Sequence, residues 1–92
     1  MGSTRKVNYT KTGIEKLPDD KTVVYKILTE NGNNNYTGIA KRGRVRERIM
    51  EHLDEIPGSS VVIEQFSSIN EAEKKESNII KRSHPKYNKA VK

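Results

Sequence analysis

Apolar residues occur in short clusters separated by polar breaks, and each cluster carries its own period. Val23, Val24, Tyr25, Ile27 and Leu28 form a β-branched and aromatic run that ends at Asn31-Gly32-Asn33-Asn34. A second short run, Asn35 to Ala40, follows. Asn and Gly tolerate the positive φ of a tight turn, so the pattern predicts a β-hairpin over residues 22–40. Side chains alternate across a strand. An even number of turn residues therefore puts Tyr25 on one face with Ile27, Tyr36, Gly38 and Ala40, and an odd number separates the tyrosines. On one face they are either an aromatic pair covering a small core or two hydroxyls over a floor of small residues.

Beyond the hairpin the period changes. Val45, Ile49, Leu53 and Ile56 recur at a spacing of about four, which predicts a helix from about Arg44 to Glu55, closed by Pro57-Gly58. Arg48 and His52 stand one turn apart beside that apolar stripe. Val61 to Phe66 reads as a third strand, central because most of it is apolar. Ser67, Ser68 or Asn70 caps a last helix over Ile69 to Arg82, with Glu71 and Glu73 in its first turn, where the helix dipole favours them. Pro85 ends it, and a basic tail follows. Residues 1–21 are polar with scattered Ile14 and Leu17. They read as an N-terminal arm, with one helical turn before Pro18, on a single domain of residues 22–92.

Composition bounds the function. The chain has 92 residues, 32% hydrophobic and 33% charged, which fits one small domain with a thin core and a heavily solvated surface. Without cysteine, disulfides, thiolate metal sites and thiol nucleophiles are all excluded. No apolar run approaches the roughly 20 residues that cross a bilayer, so no membrane role and a cytoplasmic location are expected. Eighteen Lys and Arg against 12 Asp and Glu give a net charge of +6, which attracts polyanions, nucleic acid first among them.

Glu76 stands out on the last helix. Ala72, Ile79 and Ile80 form its apolar stripe, and Glu76 falls within that stripe by helical spacing. A carboxylate there is costly unless a cation or strong donors meet it. It is either a salt-bridge partner of an arginine such as Arg48 or a metal ligand.

The order Tyr25, Tyr36-Thr37-Gly38, Arg48 with His52 four residues on, Glu76 and then Asn88 resembles the GIY-YIG nuclease superfamily. Glu76 to Lys81 with Pro85 and Tyr87-Asn88 is most similar to the amino-terminal nuclease domain of the bacterial excision-repair incision subunit. The likeness spans about residues 22 to 90. It departs from the family pattern at Val23-Val24, where glycine and isoleucine are usual, and at Ile39, where many relatives carry lysine or serine. Lys41 could serve from nearby. The span from Tyr36 to Arg48 is about two residues longer than usual. A strict count selects Arg46, whereas the step to His52 selects Arg48.

The resemblance implies a small α+β fold, a three-stranded antiparallel sheet flanked by helices. It also implies a DNA endonuclease, of a repair or mobile-element type, that hydrolyses phosphodiesters with one divalent ion, Mg²⁺ or Mn²⁺. RNA is a second possible substrate. Glu76 would hold the ion, a hard cation that takes oxygen ligands and keeps several waters. Arg48 would offer a planar fork to phosphate oxygens. Tyr25 would be the general base with His52 taking its proton, and Tyr36 would position water or phosphate. Asn88 either ties the tail to the site or is a turn residue after Pro85. Lys41, Arg42, Arg44 and Arg46 either contact the DNA backbone without sequence preference or form a solvated basic loop. With no separate recognition domain, low sequence specificity is expected, or targeting through a partner protein or second copy. The competing reading is a catalytically weak or inactive module that binds nucleic acid on the same fold.

Overall fold

In the computed structural model, which describes residues 4–85 and 87, the chain runs β1 (Thr4–Asn8), α1 (Lys11–Glu15), β2 (Thr22–Leu28), β3 (Asn34–Ala40), α2 (Val45–Glu51), β4 (Ser60–Phe66) and α3 (Ile69–Ser83). The class is α+β. The sheet has four strands in the order β1-β4-β2-β3, every pairing antiparallel, so the expected three-stranded sheet is one strand short. The extra strand comes from the segment expected as an arm. Its sequence, Thr-Arg-Lys-Val-Asn, has a single apolar residue because β1 is an exposed edge, and charged side chains on an edge discourage further pairing. Alternation cannot be read from one apolar position. β4 is central, as its apolar run suggested.

Gly32 turns the hairpin with φ +86°, a conformation that an L side chain rarely adopts. Val23 pairs with Ala40, Tyr25 with Gly38 and Ile27 with Tyr36; a register shift after Ile27 leaves Asn35 out of the ladder. All these paired residues share one face, so both tyrosines point the same way.

That face carries the main core. β2 and β4 supply Val23, Ile27, Val61 and Ile63, α2 supplies Val45 and Ile49, and Tyr9, Ile14 and Leu17 from the N-terminal segment close it. Tyr9, Ile14 and Leu17, from the segment expected as an arm, are therefore part of the domain's interior. α3 packs on the opposite face, where Val24, Ala72 and Ile79 form a smaller cluster flanked by Ile39 and Phe66. Ser68 caps α3 by accepting from the Glu71 amide, and His84 ends it at φ 46° before Pro85. Among the described residues no helix is long and apolar enough to cross a membrane.

α2 is shorter than its stripe implied. It stops at Glu51, His52 caps it, and the amides of Glu55 and Ile56 turn back onto the His52 carbonyl. Its N-terminus lacks a capping side chain from Arg44. Instead Asp19, before β2, accepts from the Val45 amide at 2.6 Å, and its own carbonyl accepts from Gly43. A cap supplied from 26 residues away fixes the start of α2 and hence where Arg48 and His52 stand. Asp19→Ala is expected to cost about 1 kcal/mol. In thermal denaturation that is a fall in Tm of roughly 4–8 °C. Asp19→Asn, which keeps the acceptor, is expected to lose less.

Candidate active site

Gly38 creates the space in which the aromatic residues meet. A Cβ there would come within 2.7 Å of the Tyr25 hydroxyl and 2.9 Å of the Tyr36 ring, so only glycine lets both rings lie against β3. The Tyr25 and Tyr36 ring centroids are 6.0 Å apart. His52, delivered by the end of α2, packs 4.7 Å from the Tyr36 ring and 5.9 Å from the Tyr25 ring. Tyr25 Oη and His52 Nε2 share a buried 2.9 Å hydrogen bond. His52 is itself buried, and its Nδ1 has no hydrogen-bond partner among the described residues; the Glu55 carboxylate stands 3.7 Å away.

Two opposite charges act on this cluster. Burial raises the Tyr25 pKa far above its ordinary value; Tyr36 adds to the rise, Arg48 opposes it, and Glu76 adds further. Burial also raises Tyr36, again with Arg48 lowering and Glu76 raising. The contact between the two hydroxyls favours ionisation of Tyr36 over Tyr25. Burial and then Arg48 push His52 below its ordinary 6.5, so it is neutral at pH 7. The guanidinium of Arg48 and the carboxylate of Glu76 therefore both lie within electrostatic reach of both phenols. α3 packs on the face opposite the rings, so Glu76 acts from the other side of the sheet, where α3 lies against β2 and β3.

Arg48 does not pair with Glu76. It bonds Glu51 at 3.3 Å in a half-exposed pair of small energetic worth, which leaves the fork available to an anion. Glu76 is half-buried and has no ion pair among the described residues. Burial, and then Glu73, hold its carboxyl above the ordinary 4.5.

Arg46 stands apart from the cluster. Its Nε donates to the Leu17 carbonyl at 2.7 Å, tying α2 to the end of α1, and its charge affects neither phenol. Of the two arginines, Arg48 is the one whose charge shifts both phenols and His52. Lys41, Arg42 and Arg44 are exposed in the β3–α2 connection. Lys41, Arg44 and Arg48 line a cavity of about 340 Å³ with Ile39, Ile69 and Glu73, while Arg42 lines its neighbour. Asn88 lies outside the described residues. The Tyr87 amide bonds the Asn35 carbonyl at 2.8 Å, which brings the tail to β3 beside Tyr36.

No family model matches this chain, and no curated protein matches it either. Its chemistry is therefore argued from the residues. Two of them escaped sequence reading. Glu55 stands 3.7 Å from His52 Nδ1, and Glu73, expected in the first turn of the last helix, lines the cavity beside Arg48.

The donor set suits one class of ion. No group of three or more His, Cys, Asp or Glu side chains gathers among the described residues. A half-buried carboxylate without an ion pair among the described residues, as at Glu76, suits a hard ion that keeps most of its waters and completes its shell with substrate phosphate.

Proposed function

We propose that the chain is a divalent-metal-dependent DNA endonuclease of the GIY-YIG type, hydrolysing phosphodiesters with low sequence specificity. The supporting observation is the pair of phenols and the neutral imidazole packed at Gly38, with the charges of Arg48 and Glu76 within electrostatic reach of both phenols. A pure binding surface for phosphate gains nothing from a carboxylate without a partner. Glu76 would hold Mg²⁺ or Mn²⁺, and that ion would supply positive charge to the scissile phosphate. Arg48 would clamp two phosphate oxygens whose charge grows as water attacks.

Burial reassigns the proton work. Tyr25 is fully buried, so its oxygen does not meet an attacking water directly. Tyr36 is the phenol with some exposure, at 7%. In this reading Tyr36 accepts the proton of water while its own proton passes to Tyr25. The Tyr25 proton moves in turn to His52 Nε2, leaving an imidazolium beside Glu55.

The test is nicking of supercoiled plasmid with Mg²⁺ or Mn²⁺, set beside EDTA and Glu76→Ala. Equal nicking by wild type and Glu76→Ala would remove the metal role. One observation favours the second reading, a slow or silent binding module: burial lifts both phenols away from easy ionisation. Salt-dependent retention of DNA without any nicking would support it.

Activity requires Glu76 ionised and His52 neutral. Burial and Glu73 raise the first above its ordinary value, so the acid limb is expected to lie higher than that of an ordinary carboxylate. Glu73→Gln removes the charge that helps hold Glu76 up, and the limb in a pH–rate profile should move to lower pH. The fold has an acid limit of its own. Below about pH 6.5 the unfolded chain protonates His52 while the folded chain resists, so stability falls with pH there.

Lys41 and Arg42 reach neighbouring cavities along the same connection. Replacing both with alanine is expected to weaken DNA binding for all sequences. It should flatten the slope of log affinity against log salt by about 2, near one unit per lost phosphate contact.

A further inference from the structure

The cavity beside Arg48 has a mixed lining. Ile39 at the end of β3 and Ile69 at the start of α3 give it aliphatic walls. Lys41, Arg44 and Arg48 bring positive charge, and Glu73 brings a carboxylate. Arg44 and Arg48 also pair with Glu47 and Glu51, but both pairs are exposed and exchange readily for a stronger anion. A pocket for phosphate alone would be weakened by Glu73 and would have no use for two isoleucines. At about 340 Å³ it is of a size with small-ligand sites. It adjoins the proposed catalytic cluster through Arg48, which serves both, and through Glu73, one turn of α3 before Glu76.

We propose that this cavity seats one nucleoside of the DNA strand next to the scissile phosphate, and that Glu73 selects a base bearing an exocyclic amino group. The proposal rests on the nuclease reading for its place beside the cut, but not for the pocket itself. The base lies between Ile39 and Ile69, its phosphate turns outward to Lys41 and Arg44, and the Glu73 carboxylate accepts from the amino group. Cytosine, adenine and guanine offer that donor. Thymine offers only a ring N–H between two carbonyl oxygens, which a carboxylate repels. The cut would then show a bias at one flanking position, against thymine, with little readout elsewhere.

Methyl NMR of the full chain, free of divalent ions, tests this without catalysis. Titration with dCMP is expected to shift the Ile39 and Ile69 methyl signals. dTMP should bind about tenfold more weakly, the ratio that one hydrogen bond to a charged group of about 1.4 kcal/mol gives. Glu73 is exposed on its helix, so Glu73→Ala should fold normally and bring the two affinities together. Neither isoleucine responding to any mononucleotide would overturn the site, and a ratio unchanged in Glu73→Ala would overturn the selection. Plasmid nicking by the same proteins with added Mg²⁺ separates the two failures. Nicking with silent isoleucines removes the subsite alone; responding isoleucines without nicking remove the nuclease reading and leave a nucleotide pocket.

Discussion

Glu76→Gln is expected to abolish plasmid nicking and, at neutral pH, to make the protein more stable. The two effects have opposite signs because they come from one cause. Glu76 is half-buried, has no ion pair among the described residues, and its pKa is held above the ordinary value by burial and by Glu73. Above pH 4.5 the unfolded chain releases this proton more readily than the folded chain, so ionisation of Glu76 costs stability as pH rises. Gln keeps the shape and removes that cost. The same change takes away the carboxylate proposed to hold the ion, and nicking should fall about a thousandfold, the rate equivalent of roughly 4 kcal/mol. Thermal denaturation and a nicking time course on the same two proteins check both halves. A structural salt bridge would behave in the opposite way, with Tm falling on substitution. Added Mg²⁺ should raise the Tm of the wild type and leave that of Glu76→Gln unchanged.

The second large effect separates the two tyrosines. Tyr36→Phe should lower the nicking rate by about 10²–10⁴, the contribution typical of a positioned proton-transfer group, with little change in Tm. Tyr25→Phe should be the less stable of the two. It removes the partner of His52 Nε2 and leaves a buried ring nitrogen unsatisfied, at a cost of about 1–3 kcal/mol. If the proton follows the path from Tyr36 through Tyr25 to His52, Tyr25→Phe also slows nicking, and its acid limb no longer reflects His52. Equal activity of Tyr36→Phe and wild type would return the catalytic task to Tyr25 or remove it from both.

Local patterns were legible where neighbouring residues decide the structure. Asn31-Gly32 marked the hairpin because the turn needs the positive φ that Gly32 adopts. Ser68 and Glu71 marked the start of α3 because a cap is a contact over three residues. The common face of Tyr25 and Tyr36 depended on register, and a shift after Ile27 settled it in a way alternation alone could not fix. β1 was illegible because an exposed edge needs no apolar period. Asp19 capping α2 and Arg46 tying α2 to Leu17 are contacts over 26 and 29 residues, which no local spacing reveals. Depth was also hidden. The apolar stripe placed His52 at its border, yet its ring is buried, and Tyr25 lies fully buried as well.

The proposal that Arg48, Glu76 and the two phenols serve one ion is tested most directly by Mn²⁺ as a paramagnetic probe in NMR. Bound ion should broaden the Gly38 amide, the Tyr36 ring and the Arg48 side chain together, at one stoichiometric site, and Glu76→Gln should remove the broadening. Broadening centred elsewhere, or persisting undiminished in Glu76→Gln, would contradict a metal-dependent site at Gly38.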